Sequence, residues 1–152
     1  MSAVRCIEEA LARAGIDQRP VAMLDLDAFG ANAEDLATRA GASREQGLPI
    51  RVASTSLRMR GLLERVLERP GFAGVLAYTL REAMWLSSCG IEDLVVAYPT
   101  ADREAIASLA RDDRAARSHI TLMVDETAQL DLILDATRGL IGPGRPVRTA
   151  CC

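Results

Sequence analysis

The 152-residue chain contains no lysine; all 18 of its Lys-plus-Arg positions are arginine. Arginine keeps its proton and offers no neutral amine. A reaction that needs a lysine nucleophile is therefore closed to this chain as it stands. Histidine is present once, at His119, and the 4 cysteines (Cys6, Cys89, Cys151, Cys152) include no C-x-x-C pair. This spacing gives no zinc site, so no metal is expected, and the thiols read as buried or idle. No apolar run approaches the ~20 residues of a membrane span. The first fifteen residues, "MSAVRCIEEALARAG", form an amphipathic helical pattern without the apolar core of a signal peptide. A cytoplasmic protein with no membrane partner is expected. A net charge of −3 supplies no basic field for nucleic acid. No G-x-G-x-x-G follows any strand-like run, which removes the support for a dinucleotide site.

What is there is a soluble globular composition, 49% apolar and 26% charged. Strand-like and helix-like segments alternate. "VAMLDL" (21–26) reads as a strand and residues 27–46 as a helix, with Asp27 as its cap and Gly47 as its stop. "PIRVAS" is the next strand. Ser56 is placed to cap the following helix, whose Met59, Leu62, Leu63, Val66 and Leu67 share one stripe before Pro70-Gly71. "GVLAY" (74–78) is a strand, and "TLRE" is a capping box of Thr79 and Glu82 opening a helix that ends at Gly90. "DLVVAY" (93–98) leads through Pro99-Thr100 into a helix reaching about residue 109. "HITLMV" (119–124) precedes a helix capped by Asp125 and ending near Thr137. "GPG" (142–144) is a turn, and "RPVR" opens one more strand before "TACC". Near-continuous apolar strands suit a parallel sheet covered on both faces. A complete (β/α)₈ barrel typically takes ~250 residues, so the expected fold is α/β, a partial parallel (β/α) barrel.

The most specific stretch is "IRVASTSLRMR" (50–60), where an apolar strand meets a run of hydroxyls and then an arginine-rich helix. Strand parity puts Arg51, Ala53 and Thr55 on one side. Arg51 is then either half of a structural ion pair or a ligand-binding cation. Ser54 and Ser56 stand where a helix N-terminus attracts anions, although capping is the ordinary role of serines there. Tyr78 and Tyr98 both close a strand at its carboxyl end, the catalytic face of such barrels; a rim of half-wet tyrosines is the structural alternative. His119 opens its strand and falls on the opposite face. Trp85, in mid-helix, is expected to pack, and Asp25, Asp27 and Asp125 stand at helix starts, where carboxylates cap.

"PVAMLDLDAFGAN" (20–32), "LPIRVASTSLR" (48–58), "GVLAYTLREAMWLSSCGIEDLVVAYP" (74–99) and "ITLMVDE" (120–126) together resemble, in order and spacing, the N-terminal barrel of the alanine racemase-like, fold type III, pyridoxal-phosphate enzymes. The resemblance is closest to the D-threonine aldolase, D-serine deaminase and amino acid deaminase/aldolase branch. It implies pyridoxal phosphate as cofactor and a small D-amino acid or β-hydroxy amino acid as substrate. In that family the strand matching "IRVAS" ends in the Schiff-base lysine, and Thr55 stands at that position here. Thr55 is thus either the stub of a cofactor site, still able to hydrogen-bond a loosely held ligand, or a β-branched residue that closes a strand. Arg51, Tyr78 and Tyr98 are the candidate cofactor-contacting residues. On this resemblance residues 1–152 form one N-terminal portion of a barrel domain, without the distal half-barrel and the β domain, and "TACC" marks a lost frame. Such a truncated member is expected to be inactive on its own, without a covalently bound cofactor. The alternative is a non-catalytic ligand-binding or protein-interaction module, with self-association through exposed barrel edges.

Overall fold

The computed structural model describes residues 3–18, 20–42, 47–112, 116–141 and 146–151. In chain order the elements are α1 (Ala3–Arg13), α2 (Leu26–Ala40), β1 (Ile50–Ala53), α3 (Ser54–Leu57), α4 (Arg60–Leu67), β2 (Phe72–Ala77), α5 (Leu80–Ser88), β3 (Leu94–Val96), α6 (Arg103–Arg111), α7 (Ala116–His119), β4 (Ile120–Val124), α8 (Thr127–Thr137) and β5 (Arg148–Cys151). Residues 1–32 and 33–152 form two compact units.

The first unit holds α1 and the start of α2. The apolar run at 21–26 is not a strand: residues 21–25 are irregular and Leu26 already begins α2. Met23, Leu24 and Leu26 are exposed. An apolar run becomes a strand only with a ladder partner for its backbone, and residues 21–25 have none among the described residues. The cap also moves. The Asp25 carboxylate accepts from the backbone N–H groups of Asp27 and Ala28 at 3.0 and 2.9 Å, so Asp25 rather than Asp27 caps α2. The helix stops at Ala40, where Gly41 supplies a left-handed φ of 64°, six residues ahead of Gly47.

The second unit is built on a five-stranded parallel sheet in the order β1-β2-β3-β4-β5. Each strand lies beside its sequence neighbour, with helix between. A doubly wound sheet would reverse its order at a switch point, whereas one-way winding is the order of a barrel. Parallel register fixes the faces: Val52, Val75, Leu94, Ile120 and Leu122 fall on one side and are buried. α4 packs on β2, α5 on β2, β3 and β4, and α8 on β4 and α6. Leu63, Val66, Leu80, Leu86, Ile106 and Leu109 are the buried helical residues of this core. The opposite face carries Leu76, Val95, Thr121 and Met123, all part-exposed. Coverage on both faces, expected from the apolar strands, is therefore found on one face among the described residues. In a (β/α) barrel the helices lie outside the strands, so the second face corresponds to the interior side. "GPG" at 142–144 lies outside the described residues. The strand foreshadowed by "RPVR" runs from Arg148 to Cys151 beside β4.

Candidate functional site at the carboxyl ends of β1 to β3

β1 stops at Ala53, and the backbone turns at once into the single turn of α3. Ser54 is 1% exposed. Its hydroxyl donates to Glu82 Oε2 at 3.0 Å, and the backbone N–H of Tyr78 donates to the same oxygen at 2.7 Å. Thr79 Oγ1 in turn accepts from the backbone N–H of Glu82 at 3.1 Å, which holds the carboxylate at the head of α5. Half of the expected capping box is thus formed. The returning bond from Glu82 lands one residue earlier than usual, on Tyr78, and adds Ser54 from the neighbouring strand. One carboxylate oxygen therefore ties together the ends of β1 and β2.

Beyond Ser54 the strand alternation no longer applies. Thr55 lies in α3, exposed, so shared parity with Arg51 and Ala53 does not determine its direction. Ser56 is inside α3 and caps nothing; the residues before α3 and α4 are Ala53 and Met59, and neither provides a side-chain cap. With the Ser54 hydroxyl given to a carboxylate, the serine pair is not arranged as an anion cradle. Arg58 closes α3 in the left-handed region at φ 48°. Its N–H donates to the Ser54 carbonyl at 2.8 Å and its Nε to the Thr55 carbonyl at 2.9 Å.

Thr55 and Tyr78 line one open cleft of about 580 Å³, together with Arg58, Glu82 and Trp85. Tyr78 meets Tyr98 edge to face, ring centroids 5.5 Å apart and planes at 82°. Both rings stay more than half exposed, at 56% and 60%. Tyr78 and Tyr98 also border a shallower recess of about 350 Å³ that runs to Asp102. Asp102 caps α6 by accepting from the Ala105 N–H at 2.9 Å and pairs with Arg81 Nε at 2.7 Å. The hydrogen bond from Arg81, followed by that from Ala105, holds the Asp102 carboxyl below the usual carboxylate range, and Arg81 is correspondingly raised. Trp85 does not pack as expected: it is 52% exposed on the cleft wall.

Arg51 lies at the other end of the strands. Its guanidinium grips Asp93, just before β3, through both carboxylate oxygens at 3.0 and 2.9 Å and through the backbone carbonyl at 2.6 Å. His119 also stands at this amino end, its Nε2 3.8 Å from a Glu92 oxygen. Of the sequence candidates, then, Tyr78 shares the cleft with Thr55 and a ring contact with Tyr98, and Arg51 stands apart. Sequence reading did not find Glu82 as the link between two strands, although "TLRE" was its signal. Arg58 and Trp85 gave no signal. The acid anticipated as a cap for α8, Asp125, instead exchanges bonds with Gln129, accepting from its amide at 2.6 Å and donating its N–H to it at 2.9 Å. Among the described residues no three His, Cys, Asp or Glu side chains gather as metal ligands, and no helix is long and apolar enough to cross a membrane.

The one-way parallel sheet with its site at the carboxyl ends is a partial (β/α) barrel, and its fold matches that of the alanine racemase-like, fold type III barrel in the D-threonine aldolase branch. The likeness is to the crystal structure of D-threonine aldolase from Filomicrobium marinum, with a TM-score of 0.70 over 88% of this chain at 20% identity. The chain spans 34% of that protein's length. No family model matches the sequence, and no curated protein does.

Proposed function

We propose that this chain is the N-terminal part of a pyridoxal-phosphate-type barrel that does not itself carry the covalent chemistry of that cofactor. What supports this reading is Thr55, which follows β1 where the sequence resemblance puts the family's anchoring lysine, in a chain with no lysine at all. The residues present do not fit a covalently held pyridoxal phosphate. A hydroxyl cannot replace an amine as its carrier, and arginine is no substitute. Deamination, aldol cleavage or racemisation of D-amino or β-hydroxy amino acids is accordingly not assigned to these residues alone. The purified chain is mixed with pyridoxal phosphate, reduced with borohydride and mapped by mass spectrometry. No stoichiometric side-chain adduct is expected; one away from the N-terminal amine would overturn the reading.

A second reading, a non-catalytic interaction module, is favoured by the part-exposed Leu76, Val95 and Met123 face and by the outer edges of β1 and β5, which pair with no described strand. Open edges and apolar faces recruit other chains. Light scattering after size exclusion is expected to show an oligomer. A monodisperse monomer with a sharp melt would remove this reading and leave the first untouched.

A further inference from the structure

Residues of α3, α4 and α5 line a cleft of about 580 Å³ beside Thr55, a size suited to a small organic ligand. Leu63 and Leu86 form part of its lining and are buried, while Met59 and Trp85 line it more than half exposed, at 56% and 52%. Large apolar side chains left open beside a buried apolar floor form a surface that gains by being covered.

The charges of the cleft are not equally engaged. Arg60 is taken by Glu64 at 2.5 Å. Glu82 accepts from Ser54 and Tyr78 through one oxygen. Arg58 is held only by its Nε, on the Thr55 carbonyl. Its two terminal nitrogens have no partner among the described residues, and they form the planar fork that fits a carboxylate. The residue is also fixed in the left-handed region, a conformation that side-chain-bearing residues adopt at a cost. The cleft thus combines one guanidinium whose terminal nitrogens are open with an apolar wall of Met59 and Trp85.

We propose that this cleft binds a small monocarboxylate with an apolar body, without covalent attachment. Arg58 takes the carboxylate, and Met59, Leu63 and Trp85 cover the apolar part. One free cation matches a single negative charge, and the apolar lining selects against a purely polar anion. The site needs no amine, so it stands independently of the cofactor reading.

Trp85 is the chain's single tryptophan, so its fluorescence reports on the cleft. The probes are decanoate, below its micelle concentration, and decanol, which has the same tail without the charge. A saturable change in Trp85 emission is expected, with decanoate about tenfold tighter than decanol, as one charge-assisted bond would give. Added salt should erode that preference. Arg58→Asn, a residue that tolerates the left-handed region, should abolish it. No saturable change, equal binding of the two probes, or a preference that survives both salt and Arg58→Asn would overturn the proposal. Should the variant fail to fold, the salt series on the parent protein decides.

Discussion

Arg51 on β1 reaches Asp93 at the foot of β3 by crossing β2 at Gly74, where a side chain would stand in its way. A Cβ built on Gly74 would overlap the Arg51 guanidinium and lie 2.5 Å from both the Asp93 carbonyl and its carboxylate. Gly74 has φ +70°, and at this point the β1–β2 register slips by one residue, from Ile50↔Phe72 to Val52↔Val75. The glycine provides both the bulge and the passage. The Asp93 carbonyl accepts from the Val75 N–H as well as from Arg51, so one residue at φ 52° joins three strands. Gly74→Ala is expected to lose about 2 kcal/mol or more through strain and displacement of the ion pair. Urea denaturation measures this. A loss equal to that of Arg51→Ala, with no further loss in the double variant, would place the whole cost in the ion pair.

The Glu82 carboxylate gives a second test. Glu82→Ala leaves the hydroxyl of Ser54, 1% exposed, and the Tyr78 N–H without their shared acceptor. A buried donor left unpaired costs about 1–3 kcal/mol. Glu82→Gln keeps an acceptor oxygen and should cost less than half as much as the alanine variant. Adding Ser54→Ala to Glu82→Ala should recover part of the loss, because the orphaned hydroxyl is removed with its partner. Strictly additive losses in a thermal or urea melt would show that the pair is not coupled.

The Arg81–Asp102 pair gives stability a pH dependence of definite sign. In the folded chain the Asp102 carboxyl is held below its ordinary value of 3.8, first by Arg81 and then by the Ala105 N–H. Between the folded and unfolded values the unfolded chain binds more protons, so stability rises with pH there. The contribution is complete above the unfolded value and is lost as pH falls through the folded one. Arg81 stays charged throughout this window. Asp102→Asn keeps a good cap for α6 and removes only the charge. The parent's advantage over this variant should be constant at neutral pH and vanish in acid. An advantage unchanged through the acid range would show that it does not come from the Asp102 charge.

The sequence made β1 to β4 legible because each is a short apolar run between turn residues and a helical pattern. The same signal failed at 21–26, since an apolar run does not say whether a neighbouring strand exists to pair with it. Thr79 and Glu82 were readable as a cap because capping is local. That the Glu82 carboxylate also reaches Ser54, 28 residues away, depends on β1 and β2 being adjacent. Trp85 was expected inside because tryptophan usually is; it lies more than half exposed on the cleft wall, a placement no local pattern encodes. Parity placed Thr55 with Arg51 only while the strand was taken to continue past Ala53.

Thr55→Lys bears most directly on what the β1 end can do. It puts the chain's first amine side chain on the exposed α3 turn, beside the cleft that Tyr78 also lines. With pyridoxal phosphate and borohydride, the variant is expected to gain a reducible label at residue 55 that the parent lacks. Turnover of D-threonine, D-serine or alanine should stay at the level of free cofactor. An amine alone fixes neither the plane nor the phosphate of the bound group, and a displacement of ~1 Å can cost ~100-fold in rate. Arg51, the sequence candidate for a charged contact, is held by Asp93 at the opposite end of the strands and is not free to tune the cofactor's electronics. Peptide mapping and absorbance spectra read the first outcome, and a coupled assay reads the second. Substantial turnover by the single variant would mean that the β1–β3 mouth carries far more of an active site than Tyr78, Tyr98 and Glu82 provide. Labelling no greater than in the parent would show that residue 55 does not open onto the cleft, and would separate this chain's β1 end from the anchoring position it resembles.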